Sequence, residues 1–181
     1  MRWPSLLPKG EVLKMVKASL LSKFSIFNDL NHEQLEKIVE KGEEVTFNKG
    51  EIIVKEGESG QTMYLILEGE VEVSKTLTLR VSKSDFESRE KTITRFSSKD
   101  HLFFGEIALL GDSTRTATVA ALTDCSLYSI KKEDFEALGE EYPVLGYKLV
   151  RNISRILCDY LKKANSDILK LTTALSIALT K

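Results

Sequence analysis

Apolar positions along the chain change their period twice. Over the first forty residues they fall at helical spacing, with Val12, Met15, Val16 and Leu20 in one segment and Leu35, Ile38 and Val39 in a second. Asn31, with Gln34 three residues later, is the capping-box pattern that starts the second helix. Phe24, Ile26 and Phe27 between the two form a hydrophobic knuckle that packs on the downstream part of the chain. From Glu43 the period shortens to two. Val45 and Phe47, Ile52 to Val54, Met63 to Leu67, Val71 and Val73, and Leu77, Leu79 and Val81 read as short strands, punctuated by Gly57, Gly60 and Gly69. Ser82 to Lys91 suits a polar hairpin tip, and Thr92 to Phe96, Arg115 to Leu122 and Ser126 to Ile130 continue the strands. Closely spaced short strands with Gly-marked turns predict a sandwich or barrel rather than a parallel βαβ sheet. After Lys132 the helical period returns and persists to the end, with Pro143 in the first turn of the last helix.

The expected organisation is therefore an N-terminal helical segment (1–42), a β core (43–132) and C-terminal helices (133–181). The last helix carries a seven-residue repeat. Leu157, Ala164, Leu171 and Ala178 occupy one seam position, and Ser154, Leu161, Ile168 and Leu175 the other. A seam of this length predicts pairing with a second copy in a parallel dimer. The competing expectation is a helix folded back on its own domain.

Composition narrows the function. With 26 Lys and Arg against 27 Asp and Glu, the net charge is -1, without the basic excess of a general phosphate-backbone binder. Cys125 and Cys158 are too few for a disulfide framework and lack metal-ligand spacing; both read as buried free cysteines. No signal-peptide pattern and no apolar run of membrane-spanning length occur, so the expected setting is cytoplasmic.

The chemistry concentrates in Phe104-Gly105-Glu106-Ile107-Ala108-Leu109-Leu110, a turn from Gly111 to Thr114, and then Arg115-Thr116-Ala117-Thr118-Val119. Gly105 permits close approach of a ligand to the backbone. Glu106 to Leu110 reads as a short helix, whose first N–H groups lack internal partners and present the positive end of the dipole to an anion. Arg115, nine residues after Glu106, brings a planar guanidinium that matches phosphate oxygens. Glu106 can only accept, so it suits a sugar hydroxyl. An anion clamp beside a hydroxyl acceptor describes a phosphorylated ribose.

The string FGEIALLGDSTRTATVAAL resembles the phosphate-binding cassette of the cyclic-nucleotide-binding domain family, whose members include catabolite-activator regulators, kinase regulatory subunits and gated channels. The upstream string FNKGEIIVKEGESGQTMYLILEGEVEV resembles the family's glycine-spaced strands, and the likeness extends from about Phe24 to Leu149. The resemblance implies a mainly β double-stranded β-helix (jelly-roll) barrel with N-terminal helices and a long C-terminal helix. It implies that Arg115 pairs with the cyclic phosphate and Glu106 accepts from the ribose 2′-hydroxyl. The N–H groups of Ile107 and Ala108, with Gly105, would complete the cradle, and the Thr116 hydroxyl could reach the phosphate and a guanine edge. The chain departs from the family where Ser98-Lys99-Asp100-His101-Leu102 stands in place of a Gly-Asp turn.

The expectation is thus a cAMP or cGMP sensor that is not an enzyme and carries no cofactor. Arg151, Asn152 and Arg155, on neighbouring turns, are the candidates to cover the purine. A hinge near Phe135 to Gly146 would let the last helix close, and the signal would pass to an effector protein or through the homodimer. The chain's end at Lys181 leaves no room for a helix-turn-helix, so neither DNA nor membrane is an expected partner. Two alternatives stand beside this reading. A cupin-type metalloenzyme would need several His and carboxylate ligands, but only His32 and His101 are present, in predicted surface or capping positions. A degenerate, nucleotide-free dimerisation scaffold would not need Glu106 and Arg115.

Overall fold

The computed structural model describes residues 9–80, 86–111 and 114–180; Trp3, Pro4 and Pro8, residues 82–85 of the expected hairpin tip and residues 112–113 lie outside them, while residues 86–91 of that expected tip are strand. Two helices, α1 (Lys9–Leu21) and α2 (His32–Lys41), flank a short 3-10 turn at Ser25–Phe27. The strands β1 (Glu43–Phe47), β2 (Ile52–Val54), β3 (Thr62–Glu68), β4 (Glu70–Arg80), β5 (Phe86–Ser97) and β6 (Phe103–Phe104) come next. After them stand the one-turn helix α3 (Ile107–Leu110), β7 (Thr118–Ala121), β8 (Cys125–Lys131), α4 (Lys132–Glu141) and the 37-residue α5 (Pro143–Leu179). The strands form two four-stranded sheets, ordered β1-β8-β3-β6 and β2-β7-β4-β5, with every pair antiparallel. This is the jelly roll with flanking helices that the family resemblance implies, and it agrees with the sandwich or barrel expected from the strand pattern.

Period-two alternation sorts the side chains of β3 and β8 into two cores. Met63 and Leu65, with Tyr128 and Ile130, face the helices and join Leu21, Phe24, Ile26, Leu35, Ile38, Phe135, Leu138, Leu145, Leu149 and Ile153. Ile66 and Leu127 face the opposite way and join Val71, Phe104, Val119, Ala121 and Cys125 between the sheets. Strands buried on both sides lose their polar face, which is why β3 reads Met-Tyr-Leu-Ile-Leu without a break. The Tyr128 hydroxyl ties sheet to helix by donating to the carbonyls of Ile38 and Val39 at 3.0 and 3.1 Å.

Local signals hold at the ends of the helices. The Asn31 side chain accepts from the Gln34 N–H while the Gln34 side chain accepts from the Asn31 N–H, closing the capping box. Pro143 stands in the first turn of α5. In α1 the apolar spacing misleads: Val12, Leu13, Met15 and Val16 are exposed, and the buried face is Ala18 and Leu21. Lys14, paired with Glu40, and Lys17, paired with Glu44, hold that face toward α2 and β1. Cys125 is buried as expected, but Cys158 is exposed on α5. The strand expected from Arg115 to Leu122 is shorter, since β7 begins at Thr118. The preceding residues pair instead with the 57–59 loop, where Arg115 N–H donates to Glu58 O and Gly57 N–H to Arg115 O.

The first half of α5 is fastened to the N-terminal segment. Asn152 is buried and its amide donates to the carbonyls of Ile26 and Asn28 at 3.0 and 2.7 Å. Lys148 donates to Asp29 O and to Gln34, and Arg151 pairs with the Asp29 carboxylate at 2.8 Å. Arg155 reaches the same carboxylate only at 4.0 Å and is largely exposed. From Cys158 to Thr180 every residue of the helix is exposed. No helix among the described residues is long and apolar enough to cross a membrane.

The anchoring bonds differ in worth. Asn152→Ala strands the buried Ile26 carbonyl and the partly buried Asn28 carbonyl and is expected to cost about 2 kcal/mol in urea denaturation. Arg155→Ala, an exposed pair at the limit of contact, is expected to change stability by less than about 0.5 kcal/mol.

Candidate functional site

Between the second sheet, α3 and α5 lies a cavity that opens to solvent. Its walls are apolar: Val54 from β2, Val73 from β4, Phe96 from β5, Phe103 and Phe104 from β6, and Val119 from β7. Glu106, Arg115, Thr114, Thr116 and Tyr160 supply the polar groups that line it.

Arg115 is placed by backbone more than by strand geometry. The 57–59 loop clamps its N–H and C=O, and two glycines leave room for its side chain. A Cβ on Gly60 would stand 2.6 Å from Arg115 Nε, and one on Gly105 would stand 2.8 Å from Arg115 Nη1 and 2.7 Å from the Thr62 carbonyl. Gly105 also has a φ of +85°, the left-handed region that glycine enters without strain. Arg115 is 8% exposed, and its Nη1 is buried with no hydrogen-bond partner among the described residues. Burial pulls the Arg115 pKa down from its ordinary value, while nearby Tyr64 pushes it up.

Glu106 sits at the N-cap of α3 and is 9% exposed. Burial raises its carboxyl above the usual carboxylate value, opposed in part by its own backbone N–H. No ion pair joins Glu106 to Arg115, though both line the one cavity. Two opposite charges are thus taken out of water without neutralising each other, an arrangement that is costly until a group complementary to both enters. At α3 the Ala108 N–H donates to the Gly105 carbonyl at 3.2 Å, so it is already engaged.

The structure brings Gly105, Glu106, Ile107, Ala108, Arg115 and Thr116 together around this cavity, and it puts Arg151, Asn152 and Arg155 elsewhere. Those three face the 26–29 segment, held there by the bonds to Ile26, Asn28 and Asp29. The α5 residue that does line the cavity is Tyr160, two turns beyond Asn152. Its phenol is raised by burial and then by the charge of Glu106, which lines the same cavity. Sequence reasoning missed Tyr160, and its one available signal was an aromatic residue flanking the apolar seam. His101, in the stretch that departs from the Gly-Asp pattern, adopts the left-handed conformation (φ 48°) that glycine would supply and closes a 3-10 turn at Ser98–Asp100. His32 pairs with Glu36 at 3.4 Å on the surface of α2. Among the described residues no group of three or more His, Cys, Asp or Glu side chains could hold a metal ion.

A model of the cyclic nucleotide-binding domain matches residues 44–142. The chain is 29% identical over 162 residues to the potassium/sodium hyperpolarization-activated cyclic nucleotide-gated channel 1 of Homo sapiens, a match that covers 90% of this chain and 16% of the channel. It therefore spans only a small part of the length of that relative. Among solved structures it is similar to cAMP-bound PfPKA-R (141-441), at 35% identity and a TM-score of 0.56, over 73% of this chain and 43% of that one. It also shares the fold of a cyclic nucleotide-binding domain from Methylobacillus flagellatus, with a TM-score of 0.70 at 19% identity, covering 88% and 84%.

Because the folded state raises the pKa of Glu106, it holds that proton more tightly than the unfolded chain does. The stability this confers is complete below the unfolded value near 4.5 and is lost as pH rises through the raised value. At neutral pH the carboxylate therefore destabilises the ligand-free protein. Glu106→Gln is expected to stabilise the ligand-free domain, with the gain over wild type growing from pH 4 to pH 8 in urea denaturation.

Proposed function

The chain belongs to the cyclic nucleotide-binding domain family, and from that membership we propose that it is a sensor module that binds cAMP or cGMP reversibly and catalyses no reaction of its own. The observation that carries this reading is the pair of buried, mutually unpaired charges, Arg115 and Glu106, lining one apolar cavity that opens to solvent. In the proposed complex the Arg115 guanidinium, with its free Nη1, takes the cyclic phosphate. Glu106 accepts from the ribose 2′-hydroxyl. Gly105 and the Ile107 N–H at the start of α3 flank the phosphate, with Ala108, whose N–H is held by the Gly105 carbonyl, beside them, and Thr116 is within the same lining for the phosphate or a guanine edge. The apolar wall of Val54, Val73 and Phe96 receives the base, and Tyr160 covers it from α5 in place of Arg151, Asn152 and Arg155. No cofactor enters this scheme.

The output belongs to the same proposal. Ligand seated between α3 and Tyr160 shifts α5, because it favours whichever helix position gives it better contacts. The exposed second half of α5 then passes the change to a second copy of the chain or to an effector protein, in the cytoplasm. The names of the matched channel and of PfPKA-R attach cyclic nucleotides to those proteins.

Isothermal calorimetry with both nucleotides tests the reading. Removing one member of a desolvated charge pair costs about 2–5 kcal/mol, so Arg115→Ala is expected to weaken binding by at least about thirtyfold. Unchanged affinity in that variant would overturn the assignment. Tyr160→Ala, which removes one stacking surface, is expected to weaken binding by about tenfold, while Arg155→Ala leaves it unaltered.

A further inference from the structure

α4 and α5 are joined by a single residue. Tyr142 ends the first helix and begins the second, donating its N–H to the Leu138 carbonyl at 2.9 Å and accepting from the Gly146 N–H at 3.0 Å. So short a link folds the last turn of α4 onto the first turn of α5, and the two backbones meet at Gly139 and Gly146. A Cβ on Gly146 would stand 2.6 Å from the Gly139 Cα and 3.3 Å from the Gly139 carbonyl oxygen, closer than side chains pack. A Cβ on Gly139 would stand 3.8 Å from the Gly146 Cα, an ordinary contact. Gly146 lies inside α5 without a positive φ, so space and not backbone angle excludes a side chain there. Glycine disfavours a helix interior, and close approach is the use that offsets it.

We propose that Gly146 is a positioning residue for nucleotide binding, because its bare contact with Gly139 sets the tilt of α5 that brings Tyr160 to the cavity. This rests on the cavity being the nucleotide site. A stiff helix is aimed by two fixed points. For α5 one is the crossing at Gly146, and the other is the bonding of Asn152 to Ile26 and Asn28. Asn152 lies about 9 Å along the axis from Gly146, and Tyr160 lies about 12 Å farther on. A side chain at Gly146 needs about 1 Å more room than the crossing gives. With Asn152 as the pivot, Tyr160 then moves by about 1.3 Å in the opposite sense.

The displacement falls on α5 because α4 is held on its other sides. α4 continues directly from β8, with the Lys132 N–H donating to the Gln61 carbonyl at 2.8 Å. It packs against α2 and α3 as well as β8, and it buries Phe135 and Leu138. The first turns of α5 have water on their outer side, at Pro143, Val144 and Tyr147. At the cavity Tyr160 is about half exposed, so only part of its ring is available to a ligand. A gap of about 1 Å forfeits a quarter to a half of the dispersion attraction across it, and an equal movement inward narrows the space that the ligand needs.

Calorimetry with cAMP and cGMP on the full chain reads the effect. Gly146→Ala is expected to weaken binding by about threefold, and by no more than the loss of about tenfold assigned to Tyr160→Ala. Adding Gly146→Ala to Tyr160→Ala is expected to cost nothing further, since the ring it displaces is gone. Gly139→Ala, which the crossing accommodates, leaves affinity unaltered. Unchanged affinity in Gly146→Ala, or an equal loss with and without the Tyr160 ring, would overturn the proposal. Ligand-free protein gives a second reading. Trp3 is the only tryptophan in the sequence, so Trp3→Phe with Tyr160→Trp places a single fluorophore at the cavity. Gly146→Ala is expected to shift its emission maximum, and Gly139→Ala to leave it in place. An unmoved maximum in Gly146→Ala overturns the proposal whether or not nucleotide binds. A shifted maximum in a protein that binds neither nucleotide instead overturns the reading of the cavity and keeps the aiming of α5. If Gly146→Ala does not fold, Gly139→Val presses the crossing apart from the α4 side, with the same expected results.

Discussion

The structure is organised around the burial of one positive and one negative side chain that do not neutralise each other. Arg115 and Glu106 are each less than a tenth exposed and share an apolar cavity without an ion pair. Such groups ordinarily find partners or lose their charge. Here they are held apart by constraints drawn from other parts of the chain. Gly60 and Gly105 leave space that any Cβ would take from the guanidinium, and the 57–59 loop fixes the backbone of Arg115 on both sides. Glu106 is set at the start of α3 by the left-handed turn at Gly105. The electrostatic cost is local, and the geometry that sustains it is distributed over three segments.

That geometry is stiff because β3 and β8 are shared between two cores. Residues of β3 alternate between the helical layer, at Met63 and Leu65, and the inter-sheet layer, at Ile66. The same strand supplies the Thr62 carbonyl and the Met63 backbone that lie against Gly105. A shift in how α4 and α5 pack on Met63 and Leu65 is therefore felt at the turn that carries Glu106. Close-packed interiors transmit displacement in this way because they have little free volume in which to absorb it.

What was legible in the sequence was what is encoded locally. The Phe104–Leu110 string and Arg115 nine residues after Glu106 could be read because a glycine, a short helix and a basic residue fix one another within a dozen positions. The capping box at Asn31 and Gln34 and the first-turn Pro143 are equally local. The rotation of α5 about its own axis is not. It is set by Asn152 bonding to carbonyls at Ile26 and Asn28, over 120 residues away, and by the Asp29 carboxylate, whose residue has a positive φ. Arg151, Asn152 and Arg155 look from the sequence like a ligand-facing polar patch, because nothing nearby in the chain announces the segment that claims them. Tyr160 was overlooked for the converse reason. Similarly, the charged neighbours of Val12 and Val16 bond to Glu40 and Glu44 and turn α1 away from the face its apolar spacing suggests.

These placements divide α5 into three mechanical regions. Leu145 to Ile153 is buried and bonded to the N-terminal segment, Tyr160 stands at the cavity, and the remainder is unsupported. Tyr160 lies about 10 Å along the axis from Ile153, and Ala178 lies about 38 Å along it. A tilt of roughly 10° about the anchored region would move the first by about 2 Å and the second by about 6 Å. A displacement no larger than a side-chain adjustment at the cavity mouth is thus multiplied more than threefold at the apolar seam. The direction of leverage matters, since force applied near the anchor produces movement far from it. A helix clamped at one end and free over its apolar half turns a small displacement near the cavity into a larger one along its exposed end.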